Sequence, residues 1–172
     1  GKIDRDMSRL VKRSAVEQFV HSATGARMAA AEAAGKLYRE KPFVMGFTAE
    51  QMGQYEFGTT MKPAVQQENP LTENTKTSAD SKQKGKAADD PAREEDLTLI
   101  QGIIDVFWLE PDGIVLLDYK TDRVRTTEQL KDRYAAQLHL YAEALERVFA
   151  ATGLKVKEIL IYSFYLEEVL RL

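Results

Sequence analysis

The 172-residue chain contains no cysteine. Disulfides are therefore excluded, and so is a cysteine-held iron–sulfur cluster. No apolar run is long enough to span a membrane and no signal-peptide pattern is present, so the chain is expected to be cytoplasmic, without a membrane partner. It also lacks an excess of positive charge: 24 Lys and Arg stand against 27 Asp and Glu, a net charge of −3. A nucleic-acid enzyme of this composition needs local patches, or neighbouring domains, to supply most of its attraction for phosphate. No Gly-x-x-x-x-Gly-Lys-Ser/Thr loop occurs, so no ATP site is expected here. There is no initiator methionine, and Gly1 reads as a cloning remnant on an excised domain.

What is present suits one domain with a proper core, at 44% hydrophobic and 30% charged residues. Residues 4–24 read as one amphipathic helix through Leu10, Val11, Phe19 and Val20, with His21 as a surface or cap residue at its end. Residues 26–34 form an alanine-rich helical piece with Gly35 as its stop. Leu37 to Met45 reads as a strand in which Pro42 indicates an edge or a bulge. Thr48-Ala49-Glu50-Gln51 is a capping-box pattern that opens a short helix. From Thr59 to about residue 98 Asn, Thr, Ser, Lys, Gln, Asp and Glu dominate. Such a stretch buries too little apolar surface to offset its ordering entropy, and 59–98 is expected to be a polar, disordered insertion. Lys82, Lys84 and Lys86 within it read as a solvated run rather than a nucleic-acid contact.

The most informative stretch is Gln101 to Tyr141. The run Gly102 to Leu109 and the run Ile114 to Lys120 are separated by Glu110-Pro111-Asp112-Gly113, a hairpin pattern with Pro preset for the first corner and Gly free to turn. Asp118 and Lys120 share a face of their strand. If Leu109 stands opposite Ile114, Asp105 stands opposite Asp118; a tighter turn at Asp112-Gly113 places Asp105 opposite Lys120 instead. Both registers put the three charges on one face, and only a one-residue slip separates them. Two carboxylates about 5 Å apart repel unless a cation lies between them, and a divalent metal with oxygen ligands is a natural filler. The bland alternative is a solvated Asp-x-Lys strand end or an ordinary ion pair.

Thr126-Thr127-Glu128-Gln129 caps the next helix, with Gln129 expected to reach back to Thr126. Leu130, Tyr134, Leu138, Tyr141, Leu145 and Val148 then recur at helical spacing, with Gly153 as the stop. Gln137 lies on the same inward face, one turn before Tyr141. The pair either satisfy each other or orient a phosphate, a water or the lysine.

Gly102-x-x-Asp105, then Asp118-Tyr119-Lys120-Thr121, then Gln137-Leu138-x-x-Tyr141-Ala142 together resemble the nuclease domain of the PD-(D/E)XK superfamily, RecB-like branch. Tyr38-Arg39-Glu40-Lys41-Pro42-Phe43 and the strand Ile159 to Phe164 are most similar to the AddA/RexA family of helicase–nuclease subunits within that branch. The resemblance covers about residues 3–58 and 99–172. It implies a restriction-endonuclease-like α/β fold, with a mixed central sheet flanked by helices, in a single nuclease domain over 1–172. The implied activity is Mg²⁺-dependent hydrolysis of DNA by an exonuclease that serves recombinational repair of double-strand breaks, Mn²⁺ or Ca²⁺ being other occupants of the same site.

The resemblance also assigns roles. Asp105, Asp118 and Lys120 would be catalytic, Asp105, Asp118 and the carbonyl of Tyr119 would hold the metal, and Gln137, Tyr141 and Glu40 would support them. The partners implied are a DNA single strand threaded from a helicase motor, the helicase domains of the same full-length chain, and a second subunit of the AddB/RexB type. Subunits of that second type carry an iron–sulfur cluster, which the absence of cysteine forbids here. The family's metal-ligating histidine lies in a Gly-Thr-x-x-His stretch upstream of Lys2; Gly58-Thr59-Thr60-Met61-Lys62 is in the wrong order and ends in lysine. The rival readings are a non-catalytic DNA-binding or subunit-docking module of the same fold, and a stand-alone phage-type exonuclease or resolvase.

Overall fold

A computed structural model describes residues 11–55 and 97–172. The described strands form one sheet in the order β1 (Leu37–Phe47), β2 (Thr98–Glu110), β3 (Gly113–Lys120), β4 (Val156–Ser163), β5 (Glu168–Arg171). All neighbours are antiparallel except β3 and β4, which are parallel. That parallel step requires a crossover, which α4 (Thr127–Val148) supplies. The sheet is therefore mixed, with helices on both faces, and the fold is restriction-endonuclease-like.

Helix α4 covers one face through Leu130, Leu138, Leu145 and Tyr141, packed on Ile104, Phe107, Ile114, Leu116 and Ile161. The opposite face is covered by α1 (Arg13–Val20) and α2 (Ala23–Ala33), with Phe19 and Ala31 against Val106, Trp108, Val115, Leu117 and Tyr162. The expected single helix through residue 24 is in fact two. Ser22 ends the first by adopting an extended backbone, and its hydroxyl accepts the N–H of Gly25 to cap the second. Residues 4–10 of that expectation lie outside the described residues.

Gly35 follows α2 at φ 67°, and β1 is an edge strand that accommodates Pro42, both as expected. The capping box of Thr48 and Gln51 is fully formed and opens α3 (Ala49–Gly53). The expected insertion lies outside the described residues except at its end, where Thr98 already belongs to β2. The cap of α4 departs from expectation: Gln129 accepts the N–H of Arg125 rather than that of Thr126. That helix ends at Val148, which is 70% exposed rather than inward, and a 3₁₀ turn (Ala150–Thr152) carries the chain to Gly153.

The hairpin takes the register in which Leu109 faces Ile114 and Glu110 faces Gly113. Gly113 adopts φ 155°, and a side chain there would meet the Lys155 carbonyl at 2.8 Å, so both backbone and space require glycine. Behind the turn, the Arg27 guanidinium bonds both Glu110 and Glu158 and lies 5.8 Å from the Trp108 ring centre. Lys157 and the Trp108 indole N–H also reach Glu110, whose carboxyl is held down at about 2, chiefly by Arg27. This end of the molecule is an anchored ion-pair cluster, remote in sequence from the acidic pair.

One irregularity shapes the sheet. In a regular strand Ile104 and Val106 share a face, yet Ile104 packs towards α4 and Val106 towards α1 and α2. On β1, Tyr38 and Phe43 likewise both face α4, although an odd number of positions separates them. Both strands thus exchange faces at the same rung, where Glu40 has φ 49° and is aligned with Asp105, and the pairing resumes in the same register beyond it. A paired irregularity of this kind preserves the ladder while turning the arm of the sheet.

Candidate active site at the fork of the sheet

The β2–β3 ladder stops at Val106–Leu117. Beyond that pair β2 continues alongside β1 as far as Thr98–Phe47, while β3 continues alongside β4 as far as Lys120–Ser163. The sheet therefore forks, and Asp105 and Asp118 are the first residues past the split. Asp105 closes the fork with its side chain: its Oδ2 accepts the N–H of Tyr119 at 3.1 Å, replacing the ladder acceptor that the split removes. A strand residue sends its N–H and C=O to the same edge. Lys120 sends its carbonyl the other way, to the N–H of Phe164, so the Tyr119 carbonyl faces the fork.

Asp118 is 4% exposed and sits on the α4 face of β3. Lys120 Nζ lies 2.6 Å from Asp118 Oδ2, yet no donor is aligned on that buried oxygen as a hydrogen bond. The contact is ionic rather than directional. Burial pushes the Asp118 carboxyl above its ordinary range; Lys120 opposes this, and the charge of Asp105 reinforces it. The fold thus keeps a carboxylate in an environment that disfavours its charge, next to a second carboxylate.

Helix α4 supplies the wall. The Gln137 amide donates to the Tyr141 hydroxyl at 2.7 Å, and Tyr141 is buried with its phenol pushed up by desolvation. Both Asp118 and Asp105 contribute to that upward shift, which places the ring beside the acidic pair. Phe43 packs edge-on against Tyr141, at 5.2 Å between centroids. A side chain at Gly102 would meet Phe43 at 2.8 Å and Tyr141 at 3.2 Å. The glycine is required by this close approach, which seats the two rings over β2.

Of the residues singled out from sequence, Asp105, Asp118, Tyr119, Lys120, Gln137 and Tyr141 thus converge on the fork. Glu40 is aligned with Asp105 across β1 and β2, but its side chain is exposed. Two neighbours were not singled out. The Tyr134 ring centre lies 4.1 Å from Lys120 Nζ, and the Tyr134 hydroxyl donates to both oxygens of Asp122 at 2.9 Å. Tyr134 was legible only as one more member of the inward stripe of α4, and Asp122 carried no signal beyond its place after the strand.

Among the described residues no three His, Cys, Asp or Glu side chains cluster to hold a metal ion. The donors that do converge are two carboxylates and one main-chain carbonyl, all hard oxygens. One of them, Asp118 Oδ2, is buried without an aligned donor. Such a set fits a small divalent cation that retains several waters and completes its shell with substrate phosphate.

A mixed sheet forked at an acid pair with a lysine two residues on defines a class, and the chain belongs to the PD-(D/E)XK nuclease superfamily, whose family model matches residues 5–169. It is 36% identical over its whole length to the A-type subunit of the ATP-dependent helicase/nuclease of Lachnoclostridium phytofermentans, of which it spans 12%. The corresponding proteins from a Thermoanaerobacter species and from Clostridium botulinum are 50% and 40% identical over 74 and 87 residues, covering 42% and 51% of this chain and 6% and 7% of those proteins. The expected superfamily and the expected family of helicase–nuclease subunits are both found. No described helix is long and apolar enough to cross a membrane.

Proposed function

We propose that this chain is the nuclease domain of a bacterial helicase–nuclease and that its fork hydrolyses DNA phosphodiester bonds with Mg²⁺. The observation that carries the reading is the placement of Asp105 and Asp118 at the split of the sheet, with Asp118 Oδ2 buried and unaligned and Lys120 Nζ 2.6 Å from it. Asp105, Asp118 and the Tyr119 carbonyl would hold the cation, which when bound supplies Lewis-acid polarisation of the phosphate and acidifies water.

The chain's own residues do the rest. Asp105 fixes the Tyr119 peptide, and through it the direction of the carbonyl. Lys120, released from Asp118 once a cation takes that carboxylate, places an ammonium where charge develops on the phosphate oxygens. Gln137 and Tyr141 orient one another, and the amide retains a second N–H for water or phosphate. Glu40 lies at the solvent side of the same rung and would assist from outside. The chain's net charge of −3 leaves delivery of DNA to other parts of the protein.

The relatives' name supports the larger setting: helicase domains on the same chain that feed a single strand to an exonuclease, a partner of the AddB/RexB type, and a cytoplasmic role in double-strand-break repair. The test is Mg²⁺-dependent cleavage of linear DNA by the full-length protein that carries this chain. Asp118→Asn should abolish cleavage while the domain remains folded. Cleavage that survives this substitution, or that needs no divalent cation, would overturn the reading. A protein that binds DNA with equal affinity in both forms and never cleaves it would be the binding module instead.

A further inference from the structure

We infer that Tyr134, pinned by Asp122, is a positioning residue that holds the Lys120 ammonium in line with the fork. The inference rests on the proposed role of Lys120 and adds two residues that the superfamily motif does not contain. The geometry is specific. Lys120 Nζ sits 4.1 Å from the Tyr134 ring centre, well within the reach of a cation–π contact, and its side chain is only 14% exposed. The ring cannot swing freely, because its hydroxyl donates to both Asp122 oxygens at 2.9 Å. Asp122 is fixed in turn by Arg133, whose guanidinium is 2.7 Å from Oδ1.

The chain thus runs Arg133, Asp122, Tyr134, Lys120, and it clamps the end of β3 to the first half of α4. A lysine ammonium is a compact charge on a flexible stem, and left alone it samples many rotamers. Among the described residues its ionic partner is Asp118. A cation arriving at Asp118 competes for that partner, and the lysine then keeps the aromatic face as its remaining fixed contact. The phenol of Tyr134 is itself pushed up, first by burial and then by Asp122, so the ring remains a neutral donor to Asp122 while its face meets the ammonium. Tyr134 therefore supplies what the acid pair cannot, a hold on Lys120 that survives occupation of Asp118.

The experiment uses the full-length protein and two readouts. Single-turnover cleavage and DNA affinity are measured with Mg²⁺ for the native protein, Tyr134→Leu, Tyr134→Phe, Asp122→Asn, Lys120→Ala and the Lys120→Ala/Tyr134→Leu double variant. In metal-free protein, acetylation of each lysine by acetic anhydride is followed by mass spectrometry.

Tyr134→Leu should slow cleavage roughly ten-fold, a size a partly desolvated cation–π contact supports, with affinity unchanged. Tyr134→Phe keeps the face and loses the pin, so it and Asp122→Asn should fall between Tyr134→Leu and the native protein. In the Lys120→Ala background Tyr134→Leu should cost nothing further, because the two residues act as one unit. Lys120 should be acetylated several-fold faster in Tyr134→Leu, the other lysines serving as the unchanged reference.

A loss that recurs undiminished in the Lys120→Ala background, or acetylation that rises at many lysines together, would make Tyr134 a structural residue and overturn the inference. Native rates in Tyr134→Leu would do the same. If the native protein itself does not cleave, the nuclease reading fails, and the acetylation readout still decides whether Tyr134 holds Lys120.

Discussion

Asp105 and Tyr119 are joined across the split of the sheet by a single hydrogen bond, Oδ2 to N–H at 3.1 Å, at the point where the backbone ladder between their strands has ended. The carboxylate therefore has two duties, to complete the strand and to face Asp118. Asp105→Ala should remove the acceptor and destabilise the domain by about 1–2 kcal/mol, the usual consequence of leaving a partly buried N–H unsatisfied. Asp105→Asn retains an acceptor and should be nearly neutral, while both variants lose cleavage. Chemical denaturation of the two variants beside the native protein checks this; equal destabilisation would show that the Tyr119 bond carries no weight.

Asp118→Asn should leave metal-free stability unchanged or slightly raised. Burial dominates the upward shift of this carboxyl and Lys120 only partly offsets it, so the folded state disfavours the charge that the substitution removes. Thermal melts without divalent cation provide the measurement. A clear fall in Tm would mean that the ion pair with Lys120 outweighs the burial penalty.

Gly102→Ala should destabilise by about 1–3 kcal/mol, because its methyl would enter the space of Phe43 at 2.8 Å and Tyr141 at 3.2 Å. The rings would shift together, so cleavage should fall in the same variant. Phe43→Ala in the Gly102→Ala background should recover part of the activity by giving Tyr141 room, and no recovery would separate the glycine from the site.

Far from the site, Glu110 offers a pH signature. Arg27 holds its carboxyl at about 2 against an ordinary 4.5, a depressed value. Its contribution is therefore present in full above about 4.5 and is lost as pH falls towards 2. Glu110→Gln should destabilise by roughly 1–3 kcal/mol at neutral pH, and the gap from the native protein should close between pH 4.5 and 2. A gap independent of pH would show that packing, not the ion-pair cluster, is lost.

The parts of this architecture that were legible in sequence are those written in one strand or one helix at a time. The turn at Pro111–Gly113 and the alternation of β3 limited the hairpin to a few registers, one of which the structure adopts, and that register places Asp105 beside Asp118. The exchange of faces at Glu40 and Asp105 was not legible, because each strand's pattern looks regular on either side and the irregularity exists only as a matched pair. Ser22 was a stronger break than the apolar spacing around it, which is why one helix was expected where two form. Tyr134 was hidden by its own regularity: helical spacing marks a residue as inward and does not say whether it meets aliphatic core or an ammonium.

The central claim is that Lys120 acts on the reaction and not merely on the DNA. Single-turnover cleavage with Mg²⁺, measured beside DNA affinity across a salt series for the native full-length protein and for Lys120→Ala, tests it most directly. The account predicts a rate lowered by orders of magnitude with affinity nearly unchanged, because only interactions stronger in the transition state than in the ground state accelerate chemistry. A rate that is unchanged, or that falls only as far as binding weakens while the salt slope shallows by about one unit, would make Lys120 a phosphate contact and contradict the account.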